Sequence, residues 1–305
     1  MTKKILKAIS LKIIDYAYYL LTKIRICKPT IIIRMDGGIC SQMHQYLLGE
    51  VFHRKGMKVE YDLTFFKKDG KDINGIHARL FDLEKAFPYI KLKQATETKI
   101  KLYKKLYTHI GNYPKDCSTD WCSITAPKLL LGYYADPDYL YSQWFKEVFQ
   151  FSSSILESDN LRLYNQIINQ NSIAVHVRRG DLSTFVEAYG HPVTIEYFKT
   201  SINFFINQFE NPHFYFFSDD LEYVSKELIS NLPSNIKTHI VYNKPENGYI
   251  DLFLISQCKH QITSKGSLGK FGALLGMNKE KIVIVSKDDK QTFMLNNSPC
   301  TIISI

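Results

Sequence analysis

The sequence has few cysteines, glycines and prolines, and each shortage excludes a class of protein. It has 6 Cys, 15 Gly and 10 Pro among 305 residues, too few glycines and prolines for a collagen-like or low-complexity chain. The cysteines form no C-x-x-C pair and are too sparse for a disulfide framework in a chain of this length. We therefore expect reduced thiols at Cys27, Cys40, Cys117, Cys122, Cys258 and Cys300.

Acidic residues are scarce near the N-terminus. The chain carries 39 Lys and Arg against 30 Asp and Glu, a net charge of +9, and residues 1–30 contribute +6 of it. A nucleic-acid-binding protein is expected to carry its basic surface on the folded body, but here the rest of the chain is only weakly basic. The charge pattern argues against a nucleic-acid partner and points to an anionic membrane surface.

No apolar run near the N-terminus is long enough for a signal peptide or a transmembrane span. The longest uncharged run is Tyr16–Thr22, far below the roughly 20 residues that a span needs. Apolar residues still recur every three or four positions, with lysines between them, at Leu6, Ile9, Ile13, Tyr16 or Ala17, Leu20 and Ile24. This spacing predicts a basic amphipathic arm over residues 1–30, which either lies in a membrane interface or packs on the folded body.

Strand and helix patterns alternate from residue 31 onward. Apolar and β-branched runs predict strands at 30–35, 57–61, 129–134, 173–177, 213–217, 237–241, 261–263 and 281–285. Helical patterns lie between them at 41–55, 80–87, 155–169, 194–208, 221–229, 249–258 and 267–276. Such alternation predicts an α/β fold with parallel sheets, in two Rossmann-like domains over residues 31–165 and 166–305.

Polar clusters follow three strands of the second domain, where open α/β sheets bind their ligands. The first cluster contains His176, Arg178, Arg179 and Asp181. Two guanidinium groups can form forked, charge-assisted bonds to a diphosphate. The alternative is a pair of structural arginines with Asp181 as an ionic partner.

The second and third clusters can likewise be explained either by ligand binding or by a purely structural role. Ser218, Asp219 and Asp220 suit either a helix N-cap or the recognition of a guanine edge or ribose. The turn Thr263–Lys270 places hydroxyls and lysines before a helix, which suits a phosphate or a flexible turn. The order of the three clusters along one domain favours a ligand site.

Five segments of the chain carry motifs of a known type. They are His176–Asp181, Phe217–Asp220, Gly37–Tyr46, Leu131–Tyr134 and Asp251–Cys258. In the same order, they resemble H-x-R-R-x-D, F-S-D-D, G-G-L-G-N-Q-M-F-Q-Y, a hydrophobic G-Y-W segment and D-M-x-L-M-S-x-C, which are motifs of the α-1,2-fucosyltransferases, glycosyltransferase family 11. The likeness covers roughly residues 31–285.

The resemblance implies a GT-B-like fold with an acceptor-side domain followed by a GDP-sugar-binding domain. It implies inverting, metal-independent transfer of L-fucose from GDP-L-fucose to a galactoside hydroxyl, in surface polysaccharide or O-antigen synthesis. Another GDP-deoxysugar, such as GDP-colitose, is the alternative donor, and a non-catalytic nucleotide- or membrane-binding module is the alternative of a different class. We expect no metal or cofactor, a cytoplasmic location at the inner membrane face, and a glycan acceptor linked to lipid.

The resemblance also implies roles for individual residues. Arg178 would bind the β-phosphate and neutralise the departing GDP. The other donor-binding residues implied are His176, Arg179, Asp219, Asp220, Ser267 and the turn at Gly37 and Gly38, and this turn would face the donor from the other domain.

Transfer also needs a base that takes the proton of the acceptor hydroxyl. Related α-1,6-fucosyltransferases place an acidic residue several positions after R-R-x-D, which makes Glu187 the first choice. Asp36, Asp181 and His191 follow, and a solvated loop side chain is the alternative for each.

The sequence departs from the family motifs at three places. Cys40 and Ser41 stand where the family opening has Gly and Asn, Ala135 stands where it has Gln after G-Y-W, and Lys265–Phe271 replaces N-S-[ST]-F-S-W-W. Asp136 and Asp138 match the metal-binding D-x-D of other glycosyltransferases, but we expect them to cap a helix.

Overall fold

The structure is a computed structural model. It describes residues 9, 12–13, 16–22, 24, 28–68, 70–71, 75, 78–111, 121–132, 134, 145–184, 186, 190–276, 278–296 and 298–305. The chain divides into two compact units, each built from separate segments. The first unit takes its residues from 1–36, 41–69 and 91–139, and the second from 37–40, 70–90 and 140–305.

The first unit contains a parallel sheet with strand order β2-β1-β4-β3. Its strands are β1 (Thr30–Arg34), β2 (Lys58–Asp62), β3 (Thr108–Ile110) and β4 (Lys128–Leu131). The described helices between residues 39 and 106 are α1 (Ile39–Arg54), α2 (Thr64–Lys67), α3 (Leu83–Ala86) and α4 (Glu97–Leu106). Ile100 and Tyr103 of α4 pack against Ile32 and Leu129 of the sheet, so α4 covers one face of it.

The second unit contains a larger parallel sheet with strand order β10-β9-β8-β5-β6-β7. Its strands are β5 (Asn171–Val177), β6 (Pro212–Ser218), β7 (Lys237–Val241), β8 (His260–Thr263), β9 (Ile282–Val285) and β10 (Thr301–Ser304). Among the described residues after 140, the α-helices are α5 (Phe145–Val148), α6 (Ser158–Ile168), α7 (Gly180–Thr184), α8 (Ile195–Gln208), α9 (Leu221–Tyr223), α10 (Gly248–Gln257) and α11 (Ser267–Leu275).

Both faces of the larger sheet are covered, as expected for parallel strands. Successive side chains of a strand point to opposite faces, so Val175 packs in one apolar cluster with Phe198 of α8, and Ala174 packs in the other. Leu163 and Ile167 of α6 belong to that second cluster. This packing explains why α6 belongs to the second unit, although the sequence pattern had assigned residues up to 165 to the first domain.

The α/β prediction, with a GT-B-like pair of Rossmann-like parallel sheets, is confirmed. The helix predicted over 221–229 is less regular than expected, because α9 continues as a π-helix (Val224–Leu228) and a 3-10 turn (Ile229–Asn231). The sequence patterns missed α4, β3 and β10. In the N-terminal arm, residues 16–22 are helical, and most of the remaining arm lies outside the described residues.

Candidate functional site

The three predicted clusters lie at one edge of the larger sheet. β5 pairs with β6 on one side and with β8 on the other, with Val177 opposite Ser218 and His176 opposite Thr263. Because all these strands are parallel, their carboxyl ends share one edge. The residues that follow them are therefore neighbours, as the sequence predicted.

Ser264 connects the ends of β5 and β8. Its backbone N–H donates to the carbonyl oxygen of His176 at 3.1 Å, and its Oγ accepts the backbone N–H of Arg178 at 2.9 Å. The same Oγ lies 3.3 Å from Nδ1 of His176. The sequence analysis included Ser264 in a candidate phosphate turn, but only the structure shows that it fixes the backbone around Arg178.

The guanidinium group of Arg178 packs on the turn that precedes α11. Gly266 occupies the N-cap of α11 with φ +101° and ψ 161°, a conformation that is essentially restricted to glycine. A Cβ at this position would lie 2.7 Å from Nη1 of Arg178. Because Gly266 has no side chain, the guanidinium of Arg178 can lie beside the N-terminus of α11. The guanidinium and the helix N-terminus both favour an anion.

His176 is a neutral imidazole at this edge. It is buried, and burial together with the positive charges of Lys270 and Arg178 lowers its pKa to about 3. A Cβ on Gly269 of α11 would lie 3.1 Å from Nδ1 of His176, so the glycine lets α11 pack directly over the ring. His176 can hydrogen-bond a ligand here without carrying a charge.

Arg179 and Asp220 both make structural contacts, which was one alternative for each of their clusters, although the ionic partner expected for the arginines was Asp181. Nε of Arg179 lies 3.4 Å from Oδ2 of Asp220, and its guanidinium carbon lies 3.7 Å from the ring centroid of Tyr223. Oδ1 of Asp220 accepts the N–H of Tyr223 at 3.0 Å and caps α9. The donor-binding roles of Arg179 and Asp220 remain predictions.

Asp219 fixes the turn after β5. Its Oδ1 accepts the backbone N–H of Arg179 at 2.9 Å, and its Oδ2 accepts that of Gly180 at 3.2 Å. A Cβ on Gly180 would lie 3.0 Å from the same Oδ2. These bonds hold the backbone of the turn, and the donor-binding role of Asp219 remains a prediction.

The turn at Gly37 and Gly38 belongs to the same compact unit as Arg178. Gly37 has φ +71°. The thiol of Cys40, three residues after Gly37, is buried and forms a hydrogen bond with Ser267, and burial raises its pKa to about 12 despite nearby Arg178. The resemblance placed this turn in the other domain, but the structure places it in the second unit.

The two lysines of the altered motif are held by specific contacts. Nζ of Lys265 donates to the carbonyl oxygen of His191 at 2.7 Å. Lys270 is completely buried, and its Nζ donates to a carboxylate oxygen of Asp289 and, at 3.0 Å, to the carbonyl oxygen of Ser264. These contacts argue against the alternative of a flexible turn.

A cavity of about 680 Å³ lies beside Arg179 in the second unit. Residues that line it include Arg179, Val186, His191, Val193, Tyr223 and Glu227. The cavity combines apolar side chains and an aromatic ring with charged groups, which suits an organic ligand of mixed polarity.

The candidate bases are only partly described. Asp36, in the first unit, exchanges two hydrogen bonds with the amide of Gln45, at 2.7 and 2.9 Å, and burial raises the pKa of Asp36. His191 lines the 680 Å³ cavity. Asp181 belongs to α7, and Glu187 lies outside the described residues. The base therefore remains a prediction.

The described residues contain neither a cluster of metal ligands nor a helix that could span a membrane. No group of three or more His, Cys, Asp or Glu side chains able to hold a metal occurs among the described residues. No described helix is long and apolar enough to cross a membrane. Asp136 and Asp138 lie outside the described residues. The cysteines within the described residues, Cys40, Cys122, Cys258 and Cys300, are free thiols, as expected.

Comparison with known proteins gives a family match and two curated relatives. The family model described as glycosyl transferase family 11 matches residues 101–299. The O-antigen biosynthesis glycosyltransferase WbnK of Escherichia coli is 26% identical over 189 residues, which are 59% of this chain and 59% of that protein. An α-1,2-colitosyltransferase of Escherichia coli is 27% identical over 263 residues, or 80% of this chain and 87% of that protein.

Solved structures give more distant likenesses. The α-1,6-fucosyltransferase NodZ soaked with GDP-fucose is 11% identical, with 82% of this chain and 93% of that chain covered and a TM-score of 0.46. POFUT1 in complex with GDP-fucose is 12% identical, with 85% and 98% covered and a TM-score of 0.42. Both are too distant to assign a function.

Proposed function

The chain belongs to glycosyl transferase family 11, and on that premise we propose that it transfers a deoxysugar from a GDP-linked donor to a hydroxyl of a surface polysaccharide such as an O-antigen. The donor sugar is L-fucose or a related deoxysugar such as colitose, the sugar named in one relative. For L-fucose we propose the galactoside 2-α-transfer that the resemblance implies.

The observation that supports this proposal is the position of Arg178. Its guanidinium packs on Gly266 at the N-terminus of α11, and its backbone is held by Ser264. In an inverting transfer, the acceptor oxygen attacks the anomeric carbon while the bond to the diphosphate breaks. The electron pair leaves with GDP, and a base takes the acceptor proton. A fixed guanidinium stabilises the charge that grows on the diphosphate.

The same arrangement supports metal-independent transfer. Two cations of the protein itself lie near the turn before α11, since the charges of Lys270 and Arg178 add to the larger effect of burial in lowering the pKa of His176. Neutral His176 would bond the nucleotide, and Ser267 would bond a phosphate. We expect activity to persist in a chelator, and a strict requirement for Mn²⁺ would instead point to Asp136 and Asp138.

Isothermal titration without metal tests the donor. We expect binding of GDP, and weak or no binding of UDP and CMP. The variant R178A should bind GDP about 100-fold more weakly, because it loses charge-assisted bonds that contribute about 1.5–3 kcal/mol each. The matched control is R162A, since Arg162 is an exposed arginine paired with Asp159 on α6. Near-normal binding by R178A, or a preference for UDP with metal, would overturn the proposal.

Transfer assays separate the remaining alternatives. GDP-fucose and GDP-colitose, offered together with a galactoside acceptor, identify the sugar from the product. GDP binding without donor hydrolysis or transfer to any acceptor would instead indicate a non-catalytic nucleotide-binding module.

We also propose that the arm contacts an anionic membrane at the cytoplasmic face and that the acceptor is lipid-linked. Apolar side chains at helical spacing are 42–64% exposed, namely Ile9, Ile13, Tyr16, Leu20 and Ile24. The other side of the arm packs on the rest of the first unit, where the hydroxyls of Tyr18 and Tyr103 lie 3.2 Å apart and Thr22 is buried. The folded body thus leaves the apolar stripe open, which favours the membrane alternative.

A further inference from the structure

Lys270 and Asp289 form a buried ion pair beneath the turn that precedes α11. The side chain of Lys270 has no solvent exposure and that of Asp289 is nearly buried. Burying two charges is costly unless they are paired and further hydrogen-bonded. Lys270 meets this condition through a second bond to the carbonyl oxygen of Ser264.

The second bond reaches the candidate donor site. Ser264 accepts the backbone N–H of Arg178 and lies against His176. A continuous series of contacts therefore runs from Asp289 through Lys270 and Ser264 to Arg178. The ammonium group of Lys270 bonds the carbonyl oxygen of Ser264, and the hydroxyl of Ser264 bonds the backbone just after β5.

The positive charges of this arrangement need a carboxylate to balance them. Arg178 and Lys265 both contribute to lowering the pKa of Lys270, after the larger effect of burial, so the three cations lie close enough to repel one another. The carboxylate of Asp289 offsets this repulsion on the buried side. The guanidinium of Arg178 remains on the side of the helix N-terminus, where an anionic ligand would bind.

We propose that Lys270, paired with Asp289, is a positioning residue that fixes the Ser264 turn and so holds Arg178 in place for a diphosphate. The inference rests on the proposed function, because it takes the diphosphate to be that of the GDP-sugar donor. Lys270 does not touch the ligand itself, and its effect on binding passes through Ser264.

A second buried lysine provides a matched control. Lys281 is also without solvent exposure, and its Nζ donates to the carbonyl oxygens of Ile255 and Cys258 at 3.2 and 2.9 Å. These carbonyls belong to the end of α10, not to the edge that holds Arg178. Loss of either lysine removes a buried ammonium from carbonyl oxygens in the same unit, but only loss of Lys270 should alter the donor site.

The experiment measures GDP affinity and melting temperature for K270M, K281M and D289N. Both lysine variants should melt earlier, but only K270M should bind GDP at least about tenfold more weakly, and D289N should weaken binding in the same direction. K270M combined with R178A should bind no more weakly than R178A alone, because both changes remove the same contact with the diphosphate. K270R should restore part of the affinity, because it keeps the positive charge beside Asp289.

Equal GDP affinity of K270M and the wild type would overturn the inference, as would an equal loss in K281M. Inorganic diphosphate serves as a second probe. If the wild type binds diphosphate but not GDP, the proposed donor is wrong, and the comparison of K270M with K281M is made on diphosphate. Failure of the wild type to bind either probe would overturn both the inference and the proposed function.

Discussion

The protonation state of His176 is set by residues that are distant from it in the sequence. The sequence places it near the end of a strand before two arginines, and this position is confirmed. Its neutral state could not be predicted, because that state depends on burial by α11 and on the charges of Lys270 and Arg178. Gly269, which permits the close packing, lies more than ninety residues away in the sequence.

The lowered pKa of His176 predicts a specific loss of stability in acid. The pKa is about 3 in the folded chain against an ordinary value of 6.5, so between these limits the unfolded state binds more protons. The stabilisation is complete above pH 6.5 and is lost as the pH falls toward 3. Within this window the free energy of unfolding should fall by about 1.4 kcal/mol per pH unit through this residue.

Urea unfolding of wild type and H176Q at pH 7, 6, 5 and 4 measures this contribution. The wild type should lose stability more steeply than H176Q, and H191Q, which replaces an exposed loop histidine, should follow the wild type. Parallel curves for wild type and H176Q would show that His176 is not held neutral by the fold.

At the scale of elements, central strands were predictable and edge elements were not. β5 and β6 have long apolar runs because both faces of the sheet are covered. β3 and β10 are short edge strands with exposed residues, so their sequences lack a distinctive alternation and their formation depends on pairing with β4 and β9. The motif spacing predicted which strand ends carry polar residues, but not the bond from Ser264 to Arg178, which joins residues far apart in the sequence.

The turn between β8 and α11 yields a prediction at this scale. G266A should destabilise the fold by roughly 1–3 kcal/mol, because alanine is strained in this backbone conformation, and it should also weaken GDP binding, because the added Cβ would displace Arg178. G56A is the control, since Gly56 also has a positive φ of +78° but no atom within 4 Å of the added Cβ.

Thermal melting and GDP titration of G266A and G56A separate the two effects. Both variants should melt earlier than the wild type, and only G266A should lose affinity. Unchanged GDP affinity in G266A would mean that the guanidinium of Arg178 does not need its present position to bind the donor.

For the whole molecule, positive charge and exposed apolar side chains are concentrated together in the N-terminal arm, a feature that no single motif shows. Residues 1–30 hold +6 of the net charge of +9, and the same segment exposes an apolar stripe. The sequence predicted the amphipathic spacing but left open whether the stripe packs on the body. That choice depends on which face of the arm packs on the rest of the first unit, and Tyr18 and Thr22 occupy that face.

Membrane binding through the arm is testable without shortening the chain. Reversal of four arm lysines to glutamate should abolish most binding to vesicles that contain anionic phospholipid, at about 1 kcal/mol per basic residue near the surface. The substitutions are at Lys3, Lys4, Lys7 and Lys12. The control reverses four exposed lysines of the folded body, at Lys101, Lys104, Lys287 and Lys290, and gives the same final net charge.

Vesicle sedimentation and transfer to a soluble acceptor measure the two consequences. The arm variant should lose vesicle binding while keeping activity on the soluble acceptor, because none of the residues proposed to bind the donor belongs to the arm. The control should keep most of its vesicle binding, since its lysines lie outside the arm. Equal losses in the two variants would indicate attraction by overall charge, and unchanged binding in the arm variant would exclude the arm as the membrane contact.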